Sequence, residues 1–193
     1  MKTVGIVLAA GASSRMGRPK ALLCDPDAVP LAARQARVLQ EGGCSSTAVV
    51  LGCAAEALRP HLPPALEIRV NARWSQGRVS SMQTGMQAFP DAAGWLFLPV
   101  DAAGVKPTTI RMLLDAAEKD PAHIWRPTYK GEKGNLLWIP ACLAQRMALL
   151  SADARMDEWV EPMARRLEMP DAAVLRNVNT PEEWAAWLRQ AEG

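Results

Sequence analysis

Residues 3–9, Thr-Val-Gly-Ile-Val-Leu-Ala, form a continuous apolar run rich in β-branched side chains, and Gly11 follows two residues later. Such a run is stable as a strand when both of its faces are covered, the situation of a strand inside a parallel sheet. Five further segments share this character: 46–52, 66–70, 94–100, 122–127 and 134–140. Helical periodicity falls at 29–41, 54–60, 78–89, 107–119, 141–150, 155–167 and 181–191. The last is opened by Thr180-Pro181-Glu182-Glu183, a capping residue, a proline at the first helical position and acids in the first turn. Strands alternating with helices predict an α/β fold, a Rossmann-like, mostly parallel open sheet with helices on both faces. Ligands of such sheets lie beyond the carboxyl ends of the strands, so the loops after Ala9, Val70 and Val100 are expected on one rim.

No composition shift, repeat or linker divides the 193 residues, and 1–193 reads as a single domain. Twenty-two Lys and Arg against 20 Asp and Glu leave a net charge of +2, too little for a general field that attracts duplexes, so nucleic acid is not an expected partner. Basic residues gather locally instead, at Arg15, Arg18 and Lys20 and at Arg69, Arg73 and Arg78, as suits a small anion. Cys24, Cys44, Cys53 and Cys142 form no CxxC pair and are expected as reduced thiols. Residues 1–12 have the order of a signal peptide, yet their removal would delete the first strand. With no segment long enough to span a bilayer, no membrane partner is expected and the cytoplasm is the expected location.

The first loop carries the chemistry. Gly11 lets backbone N–H groups approach phosphate oxygens closely. Arg15 and Lys20 then matter only if the loop folds over its ligand: unit charges 4 Å apart attract by about 1 kcal/mol in water and about 4 kcal/mol at an effective dielectric of 20. Neither GxxxxGK[ST] nor GxGxxG is present, which excludes the P-loop and the dinucleotide fingerprint. On spacing alone, a solvated basic turn stands beside phosphate binding. Asp101 ends an apolar strand, an expensive place for a carboxylate unless a cation or several donors meet it; loop opening or helix capping is the alternative. Arg78, Ser80 and Ser81 begin a helix, where N–H groups and hydroxyls receive an anion or simply cap the turn. Asn71 ends the third strand, as a turn former or a ligand contact. Trp74 offers a face for a planar ring, whereas Trp95, Trp125 and Trp138 lie in strands and are expected in the core. His61 and His123 lack metal spacing.

The stretch from Leu8 to Lys20, LAAGASSRMGRPK, resembles the signature L-A-[AG]-G-x-S-x-R-M-G-x-x-K of MobA-like nucleotidyltransferases, which make molybdopterin guanine and cytosine dinucleotides. The resemblance continues at 71–86, 98–105, 127–135 and 177–184. It implies a fold of the nucleotide-diphospho-sugar transferase type. It further implies that backbone around Leu8, Ala10 and Gly11 holds base and phosphates with Asn71, and that Arg15 and Lys20 neutralise charge on the leaving pyrophosphate. Asp101 would bind Mg²⁺ with Asn179 as a neutral second ligand, and Arg78, Ser80 and Ser81 would receive the acceptor's phosphate. The implied partners are an NTP and molybdopterin, and a molybdoenzyme is compatible with the same resemblance.

The base is signalled in two directions. LAAG resembles the cytidylyl branch and NVNTPEEW the guanylyl branch; CTP is favoured because the first loop lies against the nucleotide. Asp101-Ala102-Ala103 and Gly134-Asn135-Leu136 depart from the family's usual Asp-Gln-Pro and Gly-His-Pro. Three alternatives therefore accompany cytidylyl transfer: GTP as donor, another small phosphorylated acceptor, and a non-catalytic protein that binds and hands on molybdenum cofactor.

Overall fold

A computed structural model describes residues 1–191. Its first strand, β1 (Thr3–Ala9), leads through two short 3-10 turns to α1 (Leu31–Glu41), and β2 (Ser46–Leu51) follows. Then come α2 (Ala55–Leu58), β3 (Ile68–Val70), α3 (Arg78–Gln87), β4 (Gly94–Pro99) and α4 (Pro107–Lys119). The remainder is β5 (Ile124–Tyr129), β6 (Glu132–Lys133), β7 (Leu137–Pro140), α5 (Ala144–Ala148), α6 (Met156–Val160), β8 (Ala164–Glu168) and α7 (Pro181–Ala191). The strands make one sheet in the order β3-β2-β1-β4-β7-β5-β6, with β8 also pairing β5.

β1 pairs in parallel with β2 and β4, β2 with β3, and β5 with β8; β7 runs antiparallel between β4 and β5. The sheet is thus mostly parallel, as the alternating pattern predicts, with two reversed strands: β7 inside it and the two-residue β6 antiparallel to β5 at its edge. Period-two alternation divides the strand side chains between two buried layers. Val7 and Ala9, Val49 and Leu51, Leu96 and Leu98 pack with α1, α4 and α7 on one face. Val4 and Ile6, Ala48 and Val50, Trp95 and Phe97 pack with α3, α5 and α6 on the other. Trp95 and Trp138 are buried as expected, and Trp125 is half-buried.

One predicted element is corrected. The helix expected over 155–167 stops at Val160; a 3-10 turn at Glu161–Met163 follows, and Ala164–Glu168 becomes β8. Pro162 has no N–H to continue the helix, and the five residues after Met163 satisfy their backbone groups along β5. Among the described residues, no helix is long and apolar enough to cross a membrane.

Candidate active site

The loop between β1 and the turn at Lys20–Leu22 is bent by Ser13 and Gly17, both left-handed at φ 54° and 71°. Met16, 2% exposed, pins its middle to the core, and Ser13 Oγ accepts the Lys20 backbone N–H at 3.1 Å. A Cβ built on Gly11 would enter open space, so the backbone there is bare toward the cavity. The bend brings Lys20 over the end of β4, where its Nζ donates to Asp101 Oδ2 at 2.8 Å and to Asn179 Oδ1 at 2.8 Å. Arg15 Nη2 also donates to Asn179 Oδ1, at 3.1 Å. The Lys20 and Asp101 side chains are 12% and 22% exposed, so water screens this pair less than a surface one.

Asn179 is held from behind by the start of α7. Glu183 Oε2 accepts the N–H groups of Asn179 at 2.6 Å and Thr180 at 3.2 Å, while Thr180 Oγ1 accepts the Glu183 N–H at 3.3 Å. This reciprocal arrangement satisfies donors that a helix start leaves without partners. The buried Trp184 and Trp187, with ring centroids 4.8 Å apart, anchor the same helix. Val178 N–H donates to the Asp101 carbonyl at 2.9 Å, so the segments carrying the two oxygen donors are also joined through backbone.

Arg15, Lys20, Asp101 and Asn179 line one cavity of about 570 Å³, together with Leu8, Ala10 and Gly11 from the first loop. Its other walls include Trp74, Arg78, Ser81 and Asn135, and the loops after β1, β3 and β4 meet there as the rim argument expects. Gly52 seats Trp74: a Cβ at that position would lie 2.3 Å from Trp74 Cβ and 2.7 Å from the Ala10 carbonyl oxygen. Arg78 Nη2 donates to the Asn135 carbonyl at 2.9 Å. Arg78 presents much of its surface to the open cavity, yet desolvation by the walls, and then the charge of Arg126, pull its guanidinium below its ordinary pKa. An anion beside it would offset both effects.

For Asn71 and Ser80 the structure agrees with the structural alternative, a turn former and a turn-bracing hydroxyl, and not with direct ligand contact. Asn71 is 2% exposed, its Nδ2 donates to Ser80 Oγ at 2.9 Å and Ser81 Oγ at 3.0 Å, and its Oδ1 accepts the Arg73 N–H at 2.9 Å. The Ser80 hydroxyl is fully buried against the carbonyls of Arg73 and Gly77. Both residues therefore brace the loop that carries Trp74 and Arg78, behind the cavity wall. Asn177, which the sequence gives no reason to single out, lines the cavity through its place two residues before Asn179.

Asp101 and Asn179 supply hard oxygen donors, and the Lys20 ammonium sits as a cation between them. Among the described residues, no group of three or more His, Cys, Asp or Glu side chains gathers around a point suited to a metal. The pair fits a hard divalent cation that keeps several waters, as Mg²⁺ does.

Residues 5–169 match the model of the MobA-like NTP transferase domain. The chain belongs to this family. It is 40% identical over 196 residues to nicotine blue oxidoreductase of Paenarthrobacter nicotinovorans, covering 93% of each protein. Among solved structures, this MobA-like chain superimposes on Rv0371c of Mycobacterium tuberculosis H37Rv with a TM-score of 0.81 at 24% identity, over 97% of each chain. Rv0371c has also been solved in complex with manganese. Molybdopterin-guanine dinucleotide biosynthesis protein A of Archaeoglobus fulgidus gives a TM-score of 0.74 at 15% identity, over 98% of each chain. These likenesses support the predicted fold class and the family resemblance carried by the first loop.

Proposed function

We propose that this MobA-like chain is a Mg²⁺-dependent nucleotidyltransferase that joins CTP to the phosphate of molybdopterin and releases pyrophosphate. The convergence of Lys20, Arg15, Asp101 and Asn179 beside the bare backbone of Gly11 carries the assignment. An acceptor phosphate oxygen attacks the α-phosphorus of CTP, the α–β bridging bond breaks, and its electron pair leaves with pyrophosphate. No covalent enzyme intermediate is needed, so catalysis depends on alignment and on stabilising charge. The Gly11 backbone receives phosphate oxygens, and Lys20 and Arg15 turn from Asn179 and Asp101 to the leaving pyrophosphate. Asp101 and Asn179 would hold Mg²⁺, which when bound supplies charge neutralisation on the phosphates. Arg78 and Ser81 face the acceptor's phosphate, and the Trp74 ring offers a planar group a surface to stack on.

Purified protein with Mg²⁺, molybdopterin and each of four NTPs in turn should release pyrophosphate, fastest with CTP. GTP as the best donor would move the protein to guanylyl transfer, and turnover only with another phosphorylated acceptor would move the acceptor. Silence with all four NTPs, with molybdopterin and with the other phosphorylated acceptors alike, from folded protein would refute nucleotidyl transfer. The 40% identical relative is named for a redox activity. Silence there combined with reduction of a planar aromatic dye by an added hydride donor would favour a redox function. Binding of molybdenum cofactor without turnover, unaffected by Asp101→Ala, would favour a carrier.

A further inference from the structure

Asp101 is followed by Ala102, Ala103 and Gly104, of which the two alanines pack into the core but none offers a polar side chain to hold the loop's backbone, yet the loop must present a carboxylate to a cation. The polar anchoring comes from elsewhere in the chain. Gln35, on α1, is fully buried, and its Nε2 donates to the Val100 carbonyl at 3.3 Å and to the Ala102 carbonyl at 2.9 Å. One side-chain amide thus clasps the carbonyls immediately before and after Asp101. The Asp101 carbonyl accepts from Val178 N–H at 2.9 Å, and the Ala103 carbonyl from Arg176 Nη1 at 3.2 Å.

The clasp has a cost. Gln35 Oε1 is buried and has no hydrogen-bond partner among the described residues. Turning the amide over would bring that oxygen toward the two carbonyls, so its orientation is fixed by the bonds its nitrogen makes. A buried acceptor left unpaired is disfavoured relative to an apolar side chain of the same shape, so packing alone would favour leucine or methionine on this face of α1.

We infer that Gln35 is a positioning residue for the cation-binding carboxylate: it acts through the 100–102 backbone and fixes where Asp101 meets Lys20 and a divalent ion. The inference rests on the metal-dependent activity proposed above. Partners outside the ligand set commonly govern metal affinity by ten- to a hundredfold when removed.

The test uses the full chain with Gln35→Leu and Gln35→Met, which keep an apolar side chain of similar size and delete both donations together with the orphan oxygen. Circular dichroism first establishes folding. Mn²⁺ alone is then titrated by its electron paramagnetic resonance signal, without nucleotide, and Lys20 is mapped by amine labelling and mass spectrometry. The expected result is folded protein, a Mn²⁺ dissociation constant raised about tenfold, and faster labelling of Lys20 as Asp101 leaves its ammonium. Unchanged Mn²⁺ affinity and unchanged Lys20 labelling in folded variants would overturn the inference. Failure of both variants to fold would also overturn it, by making Gln35 a folding residue. If wild-type protein bound no Mn²⁺ without nucleotide, a cation seat formed by the protein alone would fall, and Lys20 labelling would still decide whether Gln35 positions Asp101.

Discussion

Replacing Lys20 with methionine separates two roles that its ammonium plays. In the structure that ammonium satisfies both Asp101 Oδ2 and Asn179 Oδ1 at 2.8 Å, and so occupies the place of a cation. Unit charges 4 Å apart interact by about 4 kcal/mol at an effective dielectric of 20 and about 1 kcal/mol in water. With exposures of 12% and 22% the pair lies between these limits. We take about 1–2 kcal/mol as the competition a divalent ion must overcome, which corresponds to about five- to thirtyfold in affinity. Lys20→Met should therefore bind Mn²⁺ more tightly without nucleotide. In catalysis the sign reverses, because losing one preorganised donor to developing charge costs about 10²–10³ in kcat. Mn²⁺ titration and pyrophosphate release from the same preparation measure the two effects. Weaker Mn²⁺ binding in the variant would refute the reasoning, since it would make the ammonium a support of the metal site and not its competitor.

Asn71→Ala should lower unfolding free energy by about 2–3 kcal/mol in urea, because the buried Ser80 and Ser81 hydroxyls and the Arg73 N–H lose their partner; a loss below about 0.5 kcal/mol, typical of a surface site, would contradict the bracing role. Burial pushes the Cys44 thiol up to about 12, so Ellman's reagent at neutral pH should label the exposed Cys24 and Cys142 promptly and Cys44 only after denaturation. Lys133, and then Arg166, hold Glu161 down to about 2, so its stabilising contribution is complete above the unfolded carboxylate range and is lost as pH falls through about 2. Because the pair partners are solvent-exposed, that contribution should stay below about 1 kcal/mol. Acid unfolding curves of wild type and Glu161→Gln should differ at neutral pH and converge near pH 2; a constant gap across the range would argue against it.

Residues 3–9, 46–51 and 94–99 could be placed as inner strands because a fully covered strand needs apolar side chains on both faces, and that need is written in consecutive residues. The segment 155–167 could not, since β8 depends on hydrogen bonds to β5, a partner some 40 positions away. The same distinction applies to the site. Arg15, Lys20 and Asp101 are chemically conspicuous at loop positions, and the fold brings them to one cavity. Asn71 and Ser80 can each be read from the sequence as a ligand contact or as a turn or cap residue, and only their surroundings reveal that their polar atoms are already engaged. Gln35 is the converse case: nothing in the sequence singles it out, and its role emerges only when the carbonyls around Asp101 are located in space.

The contact between Arg15 and Asn179 spans 164 positions of sequence. During synthesis the glycine-bearing loop and Asp101 emerge long before Asn179 and the helix that steadies it. The carboxamide that completes the cation seat with Asp101 is thus supplied last, and the seat is whole only when the final helix is docked. Loss of that helix should consequently damage both the chemistry and the apolar layer that Trp184 and Trp187 complete.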